Sequence, residues 1–305
     1  MNFQKIIFIV GPTAVGKSEI AYSLAQRVNG EIISCDSMQV YQEITIATNK
    51  PSREILDSIP HHLIDVVSVR EEFDVMRFNL LACEAIREIH ARGRLPIVVG
   101  GSGLYMQILL DGIFENSPQN KDLRKALAFQ AKTRGNQFLY DQLKANDPQA
   151  AARIHPNDLR RMVRALEVCM TRQRPISQLQ KERQGLWGKF DIMAVALTME
   201  RRELCDRING RVEVMFERGI VEEMRKLDGI PLSLTAQSII GVGEIRGYLK
   251  GEYDQEKAKD LMKLNTRQLA KRQLTWFRKE KRLRWIEVNK DDTIEGIVVN
   301  VMAQI

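Results

Sequence analysis

Five apolar runs of strand length punctuate the chain, at residues 6–10, 31–35, 96–99, 192–197 and 284–288. Between them, stretches such as residues 78–90 and 204–227 carry apolar positions three and four apart, which predicts helices packed by one face. Short apolar strands alternating with amphipathic helices predict an α/β fold on a mostly parallel sheet, because a parallel strand is covered on both faces and needs no polar side.

From about residue 114 to residue 188 the pattern changes. No convincing strand run occurs, and helix-like segments are punctuated by Pro118, Pro148, Pro156 and Pro175. This stretch reads as an all-helical insertion, dividing the chain into a core of residues 1–114 and 189–305 and an inserted unit of residues 115–188. Arg160, Arg161, Arg164, Arg172 and Arg174 crowd together within it.

A length of 305 residues suits one large domain or a core with a smaller companion. No apolar stretch approaches the roughly 18 residues a spanning helix needs, and the chain opens without a signal-peptide pattern, so no membrane partner is expected. Cys35, Cys83, Cys169 and Cys205 lie far apart with no CxxC spacing, which argues against a zinc knuckle or disulfide framework and for a cytoplasmic location.

Lys and Arg number 46 against 39 acidic residues, a net charge of +7 that tilts toward a polyanionic partner without demanding one. Its distribution says more: from Lys263 to Arg284 there are nine basic residues and one acid, interleaved with Trp276 and Phe277. Wound as a helix, this tail sets Arg267, Lys271, Arg278 and Arg282 within an arc of about 60°. Leu269, Ala270, Trp276 and Phe277 then fall in other sectors, toward the core. Such a stripe reads either as a solvated face or as a surface that tracks RNA.

A glycine-framed turn follows the first strand. Gly11-Pro12-Thr13-Ala14-Val15-Gly16-Lys17-Ser18 is a complete GxxxxGK[ST] phosphate loop. Its glycines let backbone N–H groups converge on phosphate oxygens at a helix N-terminus, where the dipole and the orphan donors favour anions. Lys17 adds a point charge, and Ser18 a hydroxyl for Mg²⁺.

Two more motifs end strands: DSMQVY (residues 36–41) and GGSGLY (residues 100–105). Ligands in an open α/β sheet sit outside the carboxyl ends of the strands, so Lys17, Asp36 and Ser102 are expected to border one crevice. Asp36 fits a turn or helix cap, and it also fits a general base facing bound phosphate. Ser102 equally fits an N-cap before Leu104.

A guanine-nucleotide signature is missing, since Asn49-Lys50-Pro51-Ser52 lacks the Asp of NKxD. Asp65, in HHLIDVV, is the best-placed acid for a metal beside a triphosphate. On these residues alone an ATP-dependent small-molecule kinase stays open.

Taken together, GPTAVGKS, DSMQVY, HHLID, PIVVGGSGLY, IHPNDLRRMVRALEV, RINGRVEVM and TRQLAKRQLTWFRKE run nearly end to end and in order. They resemble the bacterial tRNA dimethylallyltransferases, also called tRNA isopentenyltransferases. The resemblance implies a P-loop core that moves the dimethylallyl group from dimethylallyl diphosphate to N6 of the adenosine just 3′ of a tRNA anticodon. Mg²⁺ is the implied cofactor, the tRNA anticodon stem-loop the implied partner, and a monomer the implied state.

By the same likeness Asp36 is the base and Ser102 stands beside the flipped nucleotide. The diphosphate falls to Gly11, Thr13, Ala14, Val15, Gly16, Lys17, Ser18 and Arg211, with Arg207 a further candidate and Ser18 also on the metal. Asp36, Ser37, Met38, Gln39 and Ser102 are implied on the tRNA side. So are Arg124, Arg160, Arg161, Met162, Val163 and Arg164 in the insertion, and Arg267, Lys271 and Arg272 in the tail.

Two departures stand out. Gly241-Val242-Gly243 occupies the place of the family's usual Gly-Tyr-Lys/Arg, and Ala47 replaces a glycine. An isopentenyltransferase of free adenine nucleotides shares the core motifs, but it would need no long basic surface.

Overall fold

The computed structural model describes residues 4–114 and 120–304. Its strands are β1 (Lys5–Val10), β2 (Gly30–Ser34), β3 (His61–His62), β4 (Leu95–Gly100), β5 (Asp191–Thr198) and β6 (Arg284–Glu287). They form one sheet in the order β3-β2-β4-β1-β5-β6, and every pairing among them is parallel. β1 lies between β4 and β5, with Ile7 opposite both Ile97 and Met193. That central place explains its unbroken apolar run: Ile6, Ile7, Phe8 and Ile9 are all fully buried.

β3 was not expected. A two-residue strand made of histidines carries no periodicity to read, and it forms because His61 and His62 pair with Ile32 and Ile33 at the sheet edge. His62 Nε2 also meets Glu31 Oε2 at 2.7 Å, while Arg92 and Arg94 donate to the same carboxylate. Glu31 is 1% exposed. Burial pushes its carboxyl up, and the hydrogen bonds from Arg92 and His62 overcome that and hold it below the ordinary range.

The helix Lys17–Val28 buries Ile20, Ala21, Leu24 and Ala25, a three-and-four spacing that seats it in the main core. Val75–Ala91 does the same with Phe78, Ala82, Ala85, Ile86 and Ile89, and the Asp74 carboxylate caps its start by accepting from the Met76 and Arg77 N–H groups. The helix expected over residues 204–227 is two helices, Arg201–Glu217 and Ile220–Arg225. Gly219 separates them at φ 90°, a left-handed conformation that apolar spacing alone does not reveal.

The basic tail is shorter as a helix than the stripe required. Gln255–Phe277 is helical, and the chain then turns and enters β6. Arg278, the capping residue, still follows the helix with its N–H on Leu274 O, whereas Arg282 leaves the arc shared by Arg267 and Lys271. Arg282 instead pairs with Glu280 at 2.6 Å and lies over the Trp187 ring at 5.0 Å. The edge of β5 decides this, because the strand Arg284–Glu287 satisfies backbone groups along residues 195–198 that a continuing helix would leave bare.

The chain divides into two compact units, Met1–Leu109 with Trp187–Ile305, and Leu110–Leu186. The sequence pattern put the boundaries at 115 and 188; Pro118 and the first expected residues of the insertion, 115–119, lie outside the described residues. The second unit is helical, with Lys121–Arg134, Asn136–Asn146 and Leu159–Arg172 among its helices. Leu127, Leu139, Leu143, Met162 and Leu166 build its core. Glu167 is buried there and held by Arg124 at 2.8 Å, Arg164 at 2.7 Å and the Asn120 N–H at 2.9 Å.

That packing corrects part of the tRNA assignment. Met162 is 0% and Val163 9% exposed, so their side chains belong to the unit's own interior and are closed to RNA. Arg160 and Arg161 occupy the opposite, exposed face of the same amphipathic helix. Arg124 and Arg164 are spent largely on Glu167. Among the described residues no helix is long and apolar enough to cross a membrane.

Candidate active site

β1 delivers Gly11 and the phosphate loop to the carboxyl edge of the sheet. Gly16 stands before the helix Lys17–Val28 at φ 97°, and no side chain bonds to the helix start, so its first N–H groups face the loop unclaimed by a cap. Lys17 Nζ donates to Pro12 O at 2.6 Å. Burial lowers the Lys17 pKa to about 8; Asp36 opposes that shift and Arg211 adds to it.

Arg211, on the helix Arg201–Glu217, reaches the loop and donates through Nη1 to Thr13 Oγ1 at 3.0 Å. Burial lowers its pKa. Its Nε is buried with no hydrogen-bond partner. A buried guanidinium with an idle donor is costly in a folded protein, and an anion at the loop would satisfy it.

Asp36 makes the turn that was one of the two readings made of it. Its Oδ1 accepts from the Met38 N–H at 2.8 Å, an Asx turn that leaves the strand end, and the residue also lines the same cavity as Lys17. That cavity measures about 580 Å³, within the range of small-molecule sites. Its lining includes Thr13, Ala14, Val15, Gly16, Lys17 and Ser18 of the loop, Arg207 and Arg211, and Asp36 and Gln39 from the segment after β2.

Ser102 was expected on the same crevice, and here the structure differs. The cavity lining includes Gly100 and Gly101 but stops short of Ser102. The Ser102 hydroxyl accepts from the Ser37 N–H at 3.3 Å, and its carbonyl accepts from Met106 at the head of the helix Gly103–Asp111. Ser37 and Met38 are half-buried and likewise outside the lining. Gln39 is on it, with Oε1 accepting from Ser34 Oγ at 2.9 Å and Nε2 donating to Asn49 O at 3.2 Å.

In the tail, Arg267 donates to Asn209 Oδ1 at 2.7 Å, and Lys271 is exposed. Arg272 lines a second, shallower groove together with Gln268, Asn265 and Gly243. The departure at residues 241–243 thus falls beside a tail arginine, with Val242 buried at the start of the helix Val242–Leu249. Ala47 donates its N–H to Glu223 Oε2 at 3.0 Å.

Asp65, the acid considered for a triphosphate-bound metal, is bound to buried Lys50 and does not line the cavity. Among the described residues no group of three or more His, Cys, Asp or Glu could hold a metal alone. The Ser18 hydroxyl fits a Mg²⁺ that arrives with a diphosphate, because this ion takes oxygen ligands and commonly shares them between protein and substrate phosphates.

Sequence reasoning missed Gln273. This tail-helix residue lines the cavity and accepts from the Thr13 N–H at 2.8 Å. Its only signal is its position on the helix, since no local motif ties a glutamine to a loop so far away in the chain.

Residues 39–280 match the family model described as IPP transferase. The chain is 43% identical over 301 residues to the tRNA dimethylallyltransferase of Acetivibrio thermocellus, covering 98% of this chain and 96% of that one. It is 44% identical over 297 residues to that of Alkaliphilus oremlandii, covering 96% and 95%. Among solved structures, the full-length tRNA isopentenylpyrophosphate transferase of Bacillus halodurans superposes with a TM-score of 0.72 at 41% identity, over 99% of this chain and 96% of that one. A eukaryotic dimethylallyltransferase acting on tRNA gives 0.77 at 31% identity, over 94% and 74%. A parallel sheet whose carboxyl edge carries a phosphate loop, a buried arginine and a strand-ending acid thus has relatives along its full length, and the chain belongs to the IPP transferase family.

Proposed function

We propose that this chain transfers the dimethylallyl group from dimethylallyl diphosphate to N6 of the adenosine just 3′ of a tRNA anticodon. The observation that carries the reading is one cavity lined both by anion-binding groups, Lys17 and Arg211 with its idle Nε, and by the Asp36 carboxylate. A kinase could use both features, with such a carboxylate on Mg²⁺ or on its acceptor hydroxyl, so membership of the IPP transferase family is what favours prenyl transfer.

Adenine's exocyclic amine is a weak nucleophile because its lone pair is delocalised into the ring. As N6 attacks the allylic carbon, the N–H proton passes to the Asp36 carboxylate, the carbon–oxygen bond breaks, and the diphosphate leaves with the bonding electron pair. Charge accumulating on that diphosphate is met by the loop N–H groups, Lys17 and Arg211. Mg²⁺ held at the Ser18 hydroxyl would supply further neutralisation of the diphosphate oxygens.

A base stacked in an anticodon loop cannot reach such a cavity, so it must leave the stack, at a cost of a few kcal/mol recovered in pocket contacts. Gln39 lines the adenine side, and Ser37, Met38 and Ser102 support the turns behind it, the Ser102 hydroxyl accepting from the Ser37 N–H. Arg160 and Arg161 of the helical unit and Arg267, Lys271 and Arg272 of the tail hold the RNA backbone. The enzyme works as a monomer in the cytoplasm.

Labelled dimethylallyl diphosphate offered with tRNA, with AMP or with ATP tests the proposal. Label is expected in tRNA, on the base 3′ of the anticodon. Label in AMP alone would move the assignment to a free-nucleotide enzyme, and phosphate transfer from ATP without prenyl transfer would move it to a kinase.

Lys17 sets a pH dependence. Its free-enzyme pKa of about 8 means the ammonium is present below that pH and lost above it. The ratio kcat/KM for dimethylallyl diphosphate, which reports the free enzyme, is expected to fall as pH rises through about 8. Bound diphosphate favours the charged lysine, so kcat should hold to higher pH. A pH profile in Lys17→Met that keeps the same limb would assign it elsewhere.

A further inference from the structure

The Gln273 amide is used at both ends. Its Oε1 accepts from the Thr13 N–H at 2.8 Å, and its Nε2 donates to Gly101 O at 3.1 Å. One side chain of the tail helix therefore joins the phosphate loop after β1 to the turn after β4, the turn that continues into Ser102 and its hydrogen bond to Ser37. The Thr13 N–H is withdrawn by this bond from the donors offered to an anion, so Gln273 acts on the loop's position and not on the phosphate itself.

Gly101 shows how closely the amide is seated. A Cβ there would stand 2.2 Å from Gln273 Nε2, and the Gly11 carbonyl lies 3.6 Å from the same point. The second glycine of GGSGLY is thus the space into which the clamp fits. Arg211, bound to the Thr13 hydroxyl, grips the same loop residue from another helix.

We infer that Gln273 is a positioning residue that fixes the phosphate loop against the Gly101–Ser102 turn and so sets the separation between the bound diphosphate and the acceptor base. The inference rests on the transfer reaction proposed above. Displacing reacting atoms by about 1 Å is enough to lower a rate about 10²-fold, while the groups that bind each substrate stay in place.

Gln273→Met tests it, because methionine fills nearly the same volume and makes neither hydrogen bond. The expected result is kcat lowered about 30- to 100-fold, with KM for dimethylallyl diphosphate and Kd for tRNA each within about threefold of wild type. Gly101→Ala should reproduce the loss from the other partner by pushing the amide aside, and the double variant should be no slower than the worse single one. If one variant fails to fold, the other decides.

Unchanged kcat in the folded variants overturns the clamp, and so does a loss confined to KM, which would make Gln273 a diphosphate-binding residue. Additive losses in the double variant also overturn it. A wild-type enzyme that transfers no label to tRNA would instead bring down the proposed reaction, so the two failures are distinguishable.

Discussion

Asp36→Asn is expected to bind tRNA as the wild type does and to turn over roughly 10²-fold more slowly, or worse. Asparagine keeps an oxygen where Oδ1 accepts from the Met38 N–H, so the turn at the end of β2 survives. What it loses is the capacity to take a proton from N6. The measurement is kcat by label transfer beside tRNA Kd by filter binding. Asp36 also helps keep Lys17 charged, so the comparison is made over a pH series that runs well below the Lys17 pKa of about 8. Turnover within threefold of wild type there would reduce Asp36 to a turn residue.

Arg211→Gln should lower kcat/KM by about 10²- to 10³-fold, the scale of one lost donor to a developing anion. Glutamine ends two bonds short of Nη1, so the contact to Thr13 is lost together with the charge. Thermal unfolding separates function from fold. A half-buried guanidinium whose buried Nε has no partner does not favour the native state, and its removal should leave Tm without pyrophosphate unchanged or raised. Pyrophosphate should then raise Tm more in wild type than in Arg211→Gln. Equal shifts, or a kcat/KM within tenfold of wild type, would take Arg211 out of the diphosphate site.

What could be read from the chain alone follows from where the information is stored. The phosphate loop is legible because its eight residues are local and each has a backbone or charge task. β1 and β4 are legible because burial on both faces leaves apolar residues at every position. β3 is illegible, being two histidines held by pairing with β2 and by the carboxylate of Glu31. The end of the tail helix is misread for a related reason: residues 278–283 have helical composition, and the free edge of β5 draws the following segment into the sheet.

The candidate site divides in the same way. Lys17, at the head of the helix after β1, and Asp36, just past β2, sit in recognisable motifs and line one cavity, whereas the Ser102 hydroxyl is bonded to Ser37 and lies outside that lining. Gln273 cannot be found in advance, since it and Thr13 are 260 residues apart and neither segment carries a mark of the other. Met162 and Val163 show the opposite error, in which a contiguous stretch was taken whole although a helix turns its successive residues to different sides.

The central place of β1 has a cost during synthesis. Ile7 finds one neighbour in Ile97 and the other in Met193, so its second edge waits for residues made far later. At elongation speeds of roughly 5–20 residues per second that wait lasts on the order of ten to forty seconds. Throughout it one apolar edge of β1 has no partner, while residues 110–186 of the helical unit, with internal contacts such as Arg124 to Glu167, are all made within the interval.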